Sequence, residues 1–233
     1  MAGRVHFSTR RKLSYSSGVL ALVSCGLLAG CIGLVGGDQP PPNIPPEAPN
    51  VVSLDPQNWY IFYSAEMPPH PNADGEGAWS FEFPSSETGG HVNYVQTPFN
   101  ATTTLHNVNI IFKVESVAPQ YVVIDPADIP PATLHVFFEQ QNDNLSNANG
   151  RWWAGASQYN LGSKDNTAVT YSVPLTPDQW SNVLGQRDAQ SFYSALQNIG
   201  WIGVTFGGQY FWGHGVALAS GSAKYILVGF QVN

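Results

Sequence analysis

Cysteine is nearly absent from this chain. Its 233 residues hold two, Cys25 and Cys31, both close to the N-terminus. Beyond position 31 neither a disulfide nor a cysteine metal site can form, so the remaining chain must be stabilised by its core alone. Charge is scarce as well, at 11% of residues, and the basic share is small: nine Lys and Arg against sixteen Asp and Glu. Four of the nine, Arg4, Arg10, Arg11 and Lys12, stand in the first twelve residues. Removing residues 1–30 leaves five basic against sixteen acidic residues, a balance of −11. Five scattered cations cannot neutralise a run of phosphates, which excludes a nucleic-acid binder. No phosphate-binding GxGxxG or lysine-bearing P-loop is present, and no GxSxG elbow. The five histidines past residue 30, at 70, 91, 106, 135 and 214, have neither HxH nor HExxH spacing.

The N-terminus is ordered as basic residues, an apolar run (residues 18–28) and small residues, the order of a secretory signal. The run is too short to span a bilayer as a helix. It ends in Leu28-Ala29-Gly30-Cys31, which resembles the lipobox of bacterial lipoproteins. That resemblance implies cleavage after residue 30 and acylation of Cys31, with Leu22-Val23-Ser24-Cys25 as a poorer second box. Several acyl chains, at about 0.8 kcal/mol per buried methylene, hold a protein permanently on a membrane. Ile32 follows the cysteine, where an aspartate marks inner-membrane retention, so the resemblance implies outer-membrane placement. Thr9-Arg10-Arg11-Lys12-Leu13 has a faint twin-arginine look, which two adjacent arginines in a basic region also produce by chance.

Residues 31–50 form a linker. Six prolines fall between positions 40 and 49, which excludes helix and sheet and favours extended polyproline II. From 51 to 233 the chain has the length of one domain. Here the signals are short β-rich runs between turn residues: 51–54, 59–65, 79–83, 91–96, 105–117, 121–124, 134–139, 169–173, 201–206 and 226–232. Ile110 and Phe112 alternate with Ile111 and Lys113, a period of two. Thr176-Pro177-Asp178-Gln179-Trp180 has the cap, proline and acid of a helix start, and Asp188 to Ile199 places Phe192, Leu196 and Ile199 on one helical face. The fold predicted is all-β, an antiparallel β-sandwich of jelly-roll type with one or two short helices.

The C-terminal half carries a second resemblance. It reads Arg151-Trp152-Trp153, then Val173-Pro174-Leu175-Thr176-Pro177-Asp178-Gln179-Trp180, then Phe192 to Gly200, Ile202 to Gly208, Gly213-His214-Gly215-Val216 and a last strand. This order is similar to the galactose-binding-like jelly rolls among bacterial carbohydrate-binding modules. The chain departs from them where many carry an Asp-Asn pair before the last strand, so no sugar or calcium contact of that pair is implied here.

Candidate ligand-binding residues follow from chemistry. Sugars present C–H faces to flat rings, and Arg hydrogen-bonds hydroxyls. Arg151, Trp152 and Trp153 sit after a polar loop; on a strand the two tryptophans point to opposite faces, one into the core and one outward. Gly207 to Gly215 combines four glycines with Tyr210, Phe211, Trp212 and His214. Trp201 alternates with Ile202, Val204 and Phe206 and faces the other side of that sheet, as a stacking platform if the sheet is open and as core if it is covered. The sites expected are Arg151, Trp152, Trp201, Tyr210, Trp212 and His214, with Tyr210 or Trp212 partly exposed beside Arg151 and Trp152. No cofactor is expected; Asp125, Asp128, Glu139 and Asp143 carry the oxygens a structural calcium uses, without EF-hand spacing. The paired carboxylates of sandwich glycosidases are not seen. The function expected is non-catalytic carbohydrate binding on a lipid-anchored protein. The alternatives are a structural or protein-interaction lipoprotein, and a polysaccharide-cleaving enzyme drawing on Tyr210 with His214.

Overall fold

The computed structural model describes residues 50–75, 77–101, 104–143, 147–163 and 166–233. The signal, Cys31 and all of the linker but Asn50 lie outside the described residues. The strands, in chain order, are β1 (Asn50–Val51), β2 (Tyr60–Phe62), β3 (Asn72–Ala73), β4 (Trp79–Glu82), β5 (Tyr94–Pro98), β6 (Asn107–Val123), β7 (Thr133–Gln140), β8 (Arg151–Trp153), β9 (Tyr159–Asn160), β10 (Val169–Pro174), β11 (Ser181–Asn182), β12 (Ile199–Gly207) and β13 (Val216–Val232). One sheet runs β10-β6-β13-β4-β3, with β1 also on β13. The other runs β11-β8-β7-β12-β5-β2, with β9 also on β7. The pairings between these strands are all antiparallel, one isolated bridge from Ser85 to Leu218 being parallel, and the two sheets form the jelly-roll sandwich read from the sequence.

Alternation decides which residues fill the space between the sheets. Ile110 and Phe112 of β6 are buried while Ile111 between them is partly exposed. From the second sheet, Val95, Val136, Phe138, Trp152, Ile202, Val204 and Phe206 point inward. Rings close the gap: Phe206 meets Phe81 edge-on at 5.6 Å and Tyr225 at 5.7 Å. Each such ring contributes about 2–3 kcal/mol by burial, the term that must stand in for disulfides.

The predicted elements need three corrections. Strict alternation in the run 226–232 predicts that Ile226, Val228, Phe230 and Val232 share one face of the last strand. Instead the β13–β6 register shifts between Leu227 and Gly229, so Tyr225 and Leu227 are buried before the bulge, Phe230 and Val232 after it, and Val228 is 46% exposed. The extra residue reverses the phase. Residues 176–180 form one turn and no helix: Gln179 N–H donates to Thr176 O, and the Trp180 indole donates to Pro174 O, pulling that ring into the core. The single α-helix among the described residues is α1 (Ala189–Leu196), beside three one-turn 3-10 helices. The Asp188 carboxylate caps it by accepting from Ser191 N–H at 2.7 Å. Phe192, Ala195 and Leu196 form its buried stripe. Ile199, expected on the helix, opens β12.

Candidate functional site

The site lies on the outward face of the second sheet. With Trp152 inward, Arg151 and Trp153 point outward by alternation. Across β7 the same face carries His135, Phe137 and Glu139, and across β12 it carries Trp201, Gly203 and Thr205. Tyr94 of β5 meets Phe137 edge-on at 5.1 Å, and these two with Trp153 form a small second apolar cluster.

The loop between β12 and β13 folds down onto this layer. Asp128 fixes its start: one carboxylate oxygen accepts from Gly208 N–H at 2.6 Å, the other from Tyr210 N–H at 2.9 Å and Ile129 N–H at 2.8 Å. Gly208 is required there, because a Cβ would collide with the Asp128 carboxylate. Gly213, at φ +89°, passes so close to the Tyr94 hydroxyl that a side chain would not fit. The Trp212 ring then stacks on His135 at 4.7 Å and 29°, its indole N–H donating to Gln209 O at 3.1 Å. Tyr210 is left 67% exposed.

His135 is the buried floor under Trp212. Ala154 O can only accept, so it takes a proton from Nδ1 at 3.0 Å, and Nε2 faces the Thr133 hydroxyl at 3.1 Å. Burial holds the ring neutral by lowering its pKa to about 4. Beside Trp153, Arg151 pairs with Asp143 at 3.1 Å and lies over the Trp153 ring at 5.9 Å. Burial, followed by the charge of Asp143, raises Glu139 to about 7. Burial likewise raises Tyr94 to about 12, against the opposing charge of Arg151.

Between these parts lies a pocket of about 120 Å³, bounded by Tyr94, Arg151, Trp153, Asn182, Tyr210, Phe211, Trp212 and His214. This is roughly the volume of four waters, too small to enclose a ligand and suited to gripping part of one lying on the surface. Behind the pocket wall two buried polar atoms on paired strands, the Trp153 indole N–H and the Ser181 hydroxyl, have no hydrogen-bond partner among the described residues. His214 at the rim pairs its Nδ1 with Asp125 at 2.7 Å. That contact and the Ala127 amide hold the Asp125 carboxyl below its usual range, the amide first.

Four of the six residues expected at a site therefore meet: Arg151, Tyr210, Trp212 and His214. Trp152 does not. Its ring is fully buried against Phe192 at 5.3 Å, and its indole donates to Asn149 O, so Trp153 is the outward member of the pair. Trp201 faces the same side but borders a different depression of about 400 Å³, with Phe99, Asn100, Gln141 and Asn142. Sequence reasoning missed Tyr94, Asn182 and Phe211 as pocket walls; Phe211 alone carried a signal, through its place in the glycine-rich loop. The four acids considered for calcium are dispersed: Asp125 on His214, Asp128 on backbone amides, Glu139 and Asp143 beside Arg151. Among the described residues no three His, Cys, Asp or Glu are grouped to hold a metal ion.

No family model and no curated protein matches the chain. Among solved structures it is similar to a family 11 carbohydrate-binding module from Clostridium thermocellum, in complex with a β-1,3-1,4-mixed-linked tetrasaccharide. The identity is 14%, the match covers 78% of this chain and 93% of that one, and the TM-score is 0.34. At that level the ligand has to be argued from the side chains.

Proposed function

We propose that this chain is a lipid-anchored protein whose sandwich binds carbohydrate without cleaving it. The observation that carries the reading is the pocket built from Trp153, Trp212 and Tyr210 around Arg151 and Asn182. Tyr210, Phe211 and the part-exposed Trp212 offer ring surface for stacking, and the guanidinium offers hydroxyl partners, while Asn182, held by Asn149 and Gln186, shapes the wall. The rigid anchoring of the loop by Asp128 suits a preformed site.

The test is retardation of the full chain in native gels containing soluble polysaccharides, with sizing of the polymers afterwards. Retardation with unchanged polymer length is expected. Shortened polymers would move the protein to the polysaccharide-cleaving class, and no retardation by any polymer would defeat the reading. The anchor rests on the order of basic, apolar and small residues before Cys31. Cys31→Ser should move the protein from the membrane to the soluble fraction in its bacterial host, and fractionation that does not change would remove lipidation at that residue.

A further inference from the structure

Trp201 and the pocket belong to one row of the sheet. Arg151 pairs with Glu139, Glu139 pairs with Trp201, and Trp201 pairs with Pro98. Arg151 and Trp201 are thus two strand spacings apart, about 10 Å. The β12 register shifts between Ile199 and Trp201, a bulge of the kind that re-aims a side chain. Its Gly200 lies against the Gln141 backbone, where a Cβ would not fit. The Trp201 ring is then held edge-on by Tyr60 at 5.8 Å and Phe62 at 6.2 Å, which fixes its orientation.

The surroundings of Trp201 repeat the chemistry of the pocket. There, rings stand with Arg151 and Asn182; here, Trp201 and Phe99 stand with Asn100, Gln141 and Asn142. A ledge of rings continues along the face: Phe62 meets Tyr63 at 6.3 Å, and Tyr63 meets Tyr94 at 6.1 Å. Tyr63 holds φ +52° and is 59% exposed. A bulky residue in the left-handed region is strained, and such strain gathers at binding sites. Two stations of one chemistry, on one row, fit a ligand that repeats along its length.

Charge narrows that ligand. Between the stations the outward residues Phe137, Gly203, Gln96 and Pro98 are uncharged. Besides Arg151, whose guanidinium Asp143 already balances, the ionisable group on the row is Glu139. Lys113 and Lys224 are engaged with Glu115 and Asp74 on the other sheet. A polyanion would find Arg151 already engaged by Asp143 and, among the described residues, no other lysine or arginine bordering either depression.

We infer that the pocket and the Trp201 station act together on a linear, uncharged polysaccharide, stacking two non-adjacent sugar units of one chain. This rests on the carbohydrate reading above and adds the class and span of the ligand. The experiment uses the full chain. Gels containing β-glucan, xylan, galactomannan or a polyuronate identify the polymer, and calorimetry then compares its dimer with its hexamer. A neutral polymer should retard the protein, and the hexamer should bind at least about tenfold tighter than the dimer. Trp201→Ala should erase that gain, bringing the hexamer to within about twofold of the dimer on the same variant. Asn142→Gly, which keeps the backbone at φ +60° while removing the amide, should reduce hexamer affinity several-fold if the tryptophan variant folds poorly. A dimer as tight as the hexamer, a hexamer gain that survives both variants, or stronger binding to the polyuronate would overturn the inference and leave carbohydrate binding standing. No retardation by any of the four polymers would overturn both.

Discussion

Replacing Glu139 by Gln should change how stability depends on pH, because two buried groups on the site face titrate in opposite directions. His135 is held neutral, its pKa lowered from 6.5 to about 4, mainly by burial. The unfolded ring takes a proton below 6.5 and the folded one only near 4. The stability it supplies is therefore complete above 6.5 and lost as pH falls towards 4, about 3 kcal/mol in all. Glu139 runs the other way. Burial and the charge of Asp143 raise it from 4.5 to about 7, so the folded state keeps a proton that the unfolded chain has released. Its contribution is present below 4.5 and lost as pH rises through 7, about 2 kcal/mol once solvent screening is allowed for. The wild-type protein should gain only about 1 kcal/mol between pH 4.5 and 7. Glu139→Gln, which mimics the protonated carboxyl, should gain about 3 kcal/mol over that interval and end about 2 kcal/mol more stable at pH 7.5. Urea unfolding of both proteins at pH 4.5, 5.5, 6.5 and 7.5 measures the difference. The acids Asp74, Asp178 and Asp188, held low by hydrogen bonds away from the site face, affect both proteins alike and drop out of the comparison. Parallel pH profiles would refute the opposition of the two groups.

Three further substitutions separate packing from recognition in the loop. Trp212→Ala should cost about 2 kcal/mol in urea unfolding, since a fully buried tryptophan costs 3–5 and this one is part-exposed. It should also raise the His135 pKa, seen by NMR, because the indole is the lid on that ring. Tyr210→Ala should shift stability by no more than about 0.5 kcal/mol while weakening binding by about 1 kcal/mol, read from denaturation and calorimetry on the same protein. Asp128→Ala leaves three amides without their acceptor and should cost about 3 kcal/mol, with faster hydrogen exchange at Gly208 and Tyr210; normal exchange there would mean that the loop is held by something else.

The fold was legible because alternation survives without knowledge of partners. Period two in residues 108–112 and 202–206 marks strands, and thirteen strands stand among the described residues where ten runs were read. Two of the runs, 105–117 and 121–124, merge in β6, and four strands lay outside the runs: β3, β9 and β11, two residues long, and β8, three long, are too short for a local pattern to announce. Bulges were invisible too. The shift at Val228 is fixed by the β6 neighbour, and nothing in residues 226–232 alone encodes it. The false helix at 176–180 had correct capping chemistry, but Trp180 gains more by entering the core beside Phe138, at 5.1 Å, than a second helical turn would return.

At the site, composition located the loop and the Arg-Trp-Trp strand, but alternation leaves one bit undetermined: it says that Trp152 and Trp153 oppose each other, without saying which faces the core. That bit is set by the partner strand. Phe138 points inward toward Phe192 and Trp180, and Trp152 stands beside Phe138 in the register, so it follows inward. Trp153 stands beside Phe137 and goes outward with it. The same register places Arg151 beside Glu139 and carries the row to Trp201. Forty-eight residues separate Trp153 from Trp201, and no pattern within one strand links them. The sheet makes them neighbours through β7, whose outward residues His135, Phe137 and Glu139 support Trp212, Trp153 and Arg151 in turn. A buried strand with a histidine and a glutamate on its second face therefore carries more information about the site than the exposed aromatics that first drew attention. Each polar residue at such a position is expensive to bury, and it is retained where a ring or an ion pair stands on top of it.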